Sequence, residues 1–234
     1  MNKHPSLMPQ SSLELSRTVL SNQSGPHPRL ARTVSRHLHS EFKRPVATHS
    51  ERAYAELAAS LQRDPRPLIL DSFCGTGQST RMLAQQHPQA LVAGIDQSAH
   101  RLSRHQADHD GNYLLLHASA EDIWQLLWRD GYRVQHHYLL YPNPWPKGKH
   151  LQRRVHGHAS FALLLRLGGA VELRSNWQLY AEEFGVAMHL AGRRGYLTRI
   201  TGEPPLTLFE EKYRRSGHQL WCYRAGPAVT KPDE

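Results

Sequence analysis

From Glu51 onward, short apolar runs alternate with stretches in which apolar residues return every three or four positions. PLILDSF, ALVAGID, NYLLLHA, HHYLLYP and AVELRS are runs of strand length, bounded by Gly, Pro, Asp or Ser. Between them, ERAYAELAASLQ, QSTRMLAQQHP, a segment starting near Ser98, AEDIWQLLW, SFALLLRL (closed by Gly168-Gly169) and WQLYAEEFGVAMHLAG carry helical spacing. GYLTRI and HQLWCYR add two more strands near the C-terminus. Strands that alternate with helices predict an α/β fold: a mostly parallel sheet of seven strands with helices on both faces. Ligands of such sheets sit beyond the carboxyl ends of the strands, so the loops after the strands are where chemistry is sought.

The first 48 residues break this rhythm. Lys3, Arg17, Arg29, Arg32, Arg36, Lys43 and Arg44 face only Glu14 and Glu41, with Ser, Pro and His filling the gaps. Residues 1–48 therefore read as a basic arm, disordered over roughly its first 25 residues; Leu30 to Phe42 is either a short basic helix that orders on a partner or part of a solvated tail. Residues 49–226 form the domain and 227–234 a tail. The whole chain of 234 residues carries a net charge of +9 before its 17 histidines are counted, and 39% of it is hydrophobic. That suffices for one core, and the basic surplus suggests an anionic partner such as nucleic acid. Two cysteines, Cys74 and Cys222, make no disulfide framework and suit a reducing cytoplasm. MNKHPSLMPQSSLELS lacks the apolar centre of a signal peptide, and no apolar run approaches the ~20 residues of a membrane helix. The expectation is a cytoplasmic monomer with no membrane contact.

The first strand runs into Asp71-Ser-Phe-Cys-Gly75-Thr-Gly77, and the second ends at Asp96, 19 residues past Gly77. Glycines at a strand-to-helix turn admit a ligand close to the backbone, and an acid about 20 residues on suits ribose hydroxyls. The turn is not GxGxxG, which argues against a nicotinamide dinucleotide. It resembles the first motif of S-adenosylmethionine-dependent methyltransferases, acid-x-Gly-x-Gly-x-Gly, with Phe73 in place of the first glycine. The resemblance implies a Rossmann-like class I methyltransferase fold with S-adenosyl-L-methionine as cofactor. It places Asp71 near the methionine amino end, Phe73, Gly75 and Gly77 along the cofactor turn, and Asp96 on the ribose. Ser119 and Ala120 follow the third strand, where this superfamily holds adenine; Ser119 can equally be the N-cap of the next helix. Cys74, with no basic neighbour in sequence, reads as a packing position.

YPNPWPKGKHLQRR (141–154), then Gly168-Gly169 and SNWQLYAEEF, resembles the bacterial tRNA (guanine-N7)-methyltransferase family, which shows Pro-Asp-Pro-Trp, a Lys, a His, paired Arg, Gly-Gly and Thr-Asp-x-x-x-Tyr-Ala in this order. The family's Thr-Lys-Phe-Glu and Gly-His steps have counterparts in Thr207-Leu208-Phe209-Glu210 and Gly217-His218. The similarity runs from about residue 66 to 224. It implies tRNA as partner, Lys147 and the Thr207–Glu210 turn at the target nucleoside or methyl donor, and Arg153 and Arg154, with Lys149, on tRNA phosphates. Trp145 either stacks on a base or caps the sheet.

The chain departs from the family as a divergent paralogue would. Asn143 and Asn176 stand where two family aspartates do, and Ser119 where the family has an acid near adenine. Guanine N7 has an in-plane lone pair and needs alignment rather than deprotonation. A carboxylate helps by accepting bonds from the base and by favouring the sulfonium, and bonds to an ionised acceptor are roughly twice as strong as bonds to an amide. Asn143 is thus the candidate catalytic and cofactor-facing residue on which three readings divide. They are N7 methylation of tRNA guanine, methylation of an exocyclic base amine through an Asn-Pro-type loop, and an RNA- or cofactor-binding paralogue without turnover. His105 and His109, with Asp108 between, share a helical spacing but offer no third ligand, so no metal site is expected.

Overall fold

The structure, a computed structural model, describes residues 15–106, 111–202 and 204–227. Strands β1 (Leu68–Ser72), β2 (Leu91–Asp96), β3 (Tyr113–His117), β4 (His136–Leu140), β5 (Ala170–Ser175), β6 (Gly195–Arg199) and β7 (Trp221–Ala225) form a seven-stranded sheet in the order β3-β2-β1-β4-β5-β7-β6. The first five strands are parallel, and β7 runs antiparallel between β5 and β6. All seven lie on the apolar runs that predicted them. The helices are α1 (Leu30–Leu38), α2 (Thr48–Arg63), α3 (Gln78–Gln86), α4 (Ala99–Leu102), α5 (Ala120–Arg129), α6 (Phe161–Arg166), α7 (Gln178–Leu190) and α8 (Leu208–Arg215).

Both faces of the sheet are covered, so the central strands are buried at every position instead of alternating with polar residues. The pleat still sorts their side chains with a period of two. Leu68, Leu70, Ala93 and Ile95 enter a large core with Leu57, Trp124, Leu164, Tyr180 and Phe184. Ile69 and Val92 point the other way, against Leu83 and Ala84 of α3 and Leu140.

Two local expectations are corrected. Residues 15–29 do not hang free. The Ser16 N–H donates to the Ser216 hydroxyl (2.8 Å), the Ser21 hydroxyl to the Pro146 carbonyl (2.8 Å), and the His27 N–H to Glu183 (2.7 Å). Helix α1 is already packed: Leu30 and Val34 are buried in the large core, leaving Arg29, Arg32 and Arg36 exposed. The Thr207–Glu210 turn is the first turn of α8. There the Thr207 hydroxyl accepts the Glu210 N–H (2.9 Å) as a helix cap, and Glu210 pairs with Arg214 one turn on (2.8 Å). His109 and Asp108 lie outside the described residues. Among the described residues no helix is long and apolar enough to cross a membrane.

Strand β1 pairs with β2 on one side and β4 on the other. The chain leaves these strands in diverging directions, and a crevice opens at their carboxyl ends.

Candidate active site

That crevice is a cleft of about 1170 Å3, roomy enough for a cofactor and a base. Its first wall is the β1–α3 turn. The Phe73 and Cys74 N–H groups donate to the Ile95 carbonyl (2.8 and 3.0 Å), suspending the turn from β2. Phe73 holds φ +69° at the position where the related motif has glycine. A left-handed non-glycine residue costs roughly 1–2 kcal/mol. Its edge-to-face packing on Trp124 (6.3 Å between centroids) offsets part of that. Gly77 cannot be replaced so easily: its φ is +77°, and a Cβ there would meet Leu115 Cδ1 at 2.6 Å.

Asp96 ends β2 with 3% exposure and lines the cleft. Its Oδ2 accepts the Gly75 N–H (2.9 Å); its Oδ1 accepts the Ser98 N–H (2.8 Å) and pairs with Arg101 (2.9 Å). A carboxylate offers about four acceptor positions, so roughly one remains for a ligand hydroxyl. Behind the turn, Asp71 is fully buried and accepts the hydroxyls of Ser79 (2.6 Å) and Thr80 (2.7 Å). Burial pushes its pKa up to about 6 against the pull of those two bonds. Burial likewise drives the Cys74 thiol well above its usual value, so it is an inert packing group, as its sequence context suggested.

The second wall is the loop after β4. Tyr141 and Trp145 both take positive φ, +57° and +45°, folding the loop so that Asn143 is exposed within the cleft. The Asn143 side-chain oxygen accepts the Trp145 N–H at 3.4 Å, a long bond that a ligand donor can displace. Arg153 stacks over the Trp145 ring at 4.7 Å and also faces the cleft. The third wall is the start of α8, where Leu208 and Phe209 are half exposed beside Thr207, Lys212 and Tyr213. An acid for a ribose, aromatic and aliphatic walls for a flat base, and cations at the rim are the groups an adenosyl cofactor and a nucleic acid need.

Residues 65–223 match the model of Methyltransf_4, a methyltransferase family. A tRNA (guanine-N(7)-)-methyltransferase of Xanthomonas axonopodis pv. citri is 31% identical over 180 residues, covering 71% of this chain and 68% of that protein. The chain belongs to the tRNA (guanine-N7)-methyltransferase family. Enzymes of the same name from Xanthomonas oryzae pv. oryzae (30% identical; 76% of each chain) and Alkalilimnicola ehrlichii (31%; 66% of this chain, 70% of that one) agree. Solved structures show the same Rossmann-like class I methyltransferase fold at low identity. An antibiotic-related methyltransferase matches with TM-score 0.57 at 14% identity (81% and 97% covered). A 16S rRNA (adenine(1408)-N(1))-methyltransferase from Catenulisporales acidiphilia matches with TM-score 0.52 at 18% identity (77% and 93% covered).

In this member of the tRNA (guanine-N7)-methyltransferase family, the cleft gathers Phe73, Gly75, Asp96, Asn143, Arg153, Thr207, Leu208 and Phe209. Other expected residues stand elsewhere. Arg154 is the clearest correction: with 0% exposure it cannot meet a phosphate, and its guanidinium is spent on Glu183 and the Trp145 carbonyl. Glu210 is also fully buried, held by Arg174 (3.0 Å) and Arg214, and supports α8 from beneath. Ser119 caps α5 and receives the Arg44 guanidinium (2.7 Å), so its hydroxyl is committed. Ala120 is buried in the core. Asn176 faces His218 (3.2 Å), which in turn bonds the Ser16 carbonyl (3.0 Å). Lys147 is exposed on a shallow basin with Ser21, Asn22 and Lys149, outside the cleft.

The sequence reading missed Arg101, Glu121, Trp124, Tyr141 and Tyr213, all of which line the cleft. Glu121 was within reach of that reading, because it stands two places after Ser119 in the first turn of α5. It supplies a carboxylate near where Ser119 has replaced one.

Proposed function

We propose that this chain transfers a methyl group from S-adenosylmethionine to N7 of a guanine in tRNA, acting in the cytoplasm as a monomer. The observation that carries the reading is the joining of two half-sites in one cleft: the Gly75–Asp96 cofactor turn and the Asn143 loop with α8. Asp96 takes one ribose hydroxyl, and Phe73, braced from behind by the buried Trp124, offers an aromatic wall to adenine. The cofactor supplies an electrophilic methyl on a sulfonium. The chain's own residues align the base edge against it, which is most of what N7 attack requires. Asn143 accepts a base N–H through its amide oxygen, with Phe209 and Tyr213 beside it as a stacking surface. Arg153 in the cleft, Lys147 and Lys149 on the basin with Ser21, and the exposed Arg29, Arg32 and Arg36 on and just before α1 form basic ground for the tRNA backbone.

The test is transfer of labelled methyl to bulk tRNA, followed by nucleoside mass spectrometry. The expected product is 7-methylguanosine. Methyladenosine or 2-methylguanosine would redirect the reading to exocyclic-amine chemistry, which the Asn143-Pro144 pair also suits. Cofactor and tRNA binding without transfer would leave a non-catalytic paralogue.

A further inference from the structure

Buried charges demand compensation, and one such device joins the loop after β4 to α7 and the arm. Arg154 and Glu183 are both fully buried and form an ion pair. Removing two ions from water costs several kcal/mol each unless every lone pair and proton is used, and here most are. The Arg154 guanidinium donates twice to the Trp145 carbonyl (3.1 and 3.3 Å) and once to the Gln23 side chain, and it lies over the Trp177 ring at 4.9 Å. Glu183 accepts from His156 (3.2 Å), from the Gln23 amide (3.2 Å) and from the His27 N–H (2.7 Å). The network therefore joins the N-terminal arm, α7 and the loop after β4. It attaches to the loop at the carbonyl of Trp145, the residue that holds φ +45°. From above, Ser21 of the arm donates to the next carbonyl, Pro146 (2.8 Å).

We infer that Arg154 and Glu183, together with Gln23 and Ser21 of the arm, are positioning residues that clamp the backbone of Trp145 and Pro146 and so fix Asn143 in the cleft. The arm is then a structural part of the acceptor half of the site, and its role is separate from the cofactor half, which hangs on β2. A left-handed tryptophan is held against backbone strain, so the loop relaxes when the clamp loosens. The inference rests on the functional reading above for the role of Asn143, but the clamp itself does not.

The variants are Gln23→Ala and Ser21→Ala, both at half-buried arm positions that leave the core intact, with Glu183→Gln as the stronger perturbation. Two quantities are read. Amide exchange of the 141–150 segment in the protein without ligands should quicken at least about tenfold in Glu183→Gln and measurably in the arm variants, with the 73–80 turn unchanged. Single-turnover methyl transfer at saturating tRNA and cofactor should fall about five- to twentyfold, while the Kd for S-adenosylmethionine stays within twofold. If the 141–150 exchange is unchanged in the arm variants, the clamp is overturned, whatever the enzyme methylates. If exchange quickens but the transfer rate holds, the clamp is not a positioning device. If cofactor affinity falls in step with rate, the effect is global and the inference fails. Should Glu183→Gln not fold, the two arm variants decide alone. If the wild type transfers no methyl to tRNA, the exchange result still stands and only the functional reading falls.

Discussion

Arg101→Ala should tighten binding of S-adenosylmethionine. Arg101 is half exposed on α4, yet it pairs at 2.9 Å with Oδ1 of Asp96, whose side chain is 2% exposed. Ser98 and Gly75 N–H groups already occupy two acceptor positions of that carboxylate. Arg101 takes a third, and a ribose diol needs two. The cofactor must therefore displace the guanidinium or bind through one hydroxyl. A partly exposed ion pair is worth about 0.2–1 kcal/mol, so removing the competitor should lower Kd about 1.5- to 5-fold. Titration calorimetry at low and high salt reads this. Salt screens the pair, so the wild type should gain affinity relative to the variant as salt rises from about 0.05 to 0.5 M. If Arg101→Ala weakens binding severalfold, Arg101 is a cofactor ligand and the competition scheme is wrong.

Other outcomes follow from the same geometry. Asn143→Asp should raise single-turnover N7 methylation about fivefold, because a charged acceptor adds roughly 1 kcal/mol over an amide at an exposed site; an unchanged or lower rate would show that Asn143 does not accept from the base. Arg153→Ala should weaken tRNA binding evenly across tRNAs and reduce the log-log salt slope by about 1, as filter binding at several salt concentrations would show. His137 is fully buried in β4, and burial lowers its pKa from 6.5 to about 3. Its neutral form is the folded one, so its contribution to stability is intact above pH 6.5 and is lost as pH falls. His137→Leu should therefore gain about 2 kcal/mol on the wild type between pH 7 and pH 5, read from urea midpoints at the two values.

The sheet was legible because buried parallel strands are written as local apolar runs between turn residues, and nothing distant is needed to place them. Helix α8 was not. Its sequence LFEEKYRR is polar on nearly every face, so periodicity is weak, and the signal that remained was the Thr207-x-x-Glu210 cap with Glu211–Arg215 one turn apart. Arg153 and Arg154 are adjacent and chemically identical, yet one stacks on Trp145 in the cleft and the other is buried. What separates them is Glu183, 29 residues away on α7, and a buried charge is chosen by a partner that only the fold brings near. Ser119 shows the same limit from the other side: its N-cap role was local and readable, whereas Arg44, which claims its hydroxyl, reaches it from 75 residues upstream.

The claim that guanine N7 is the acceptor is tested most directly by removing that atom. A tRNA transcript carrying 7-deazaguanine in place of guanine keeps the pairing face and the exocyclic amine. The account predicts that the transcript binds within about threefold of the natural one and accepts no labelled methyl. Transfer that persists on the 7-deaza transcript would contradict it, and would place the methyl on another atom.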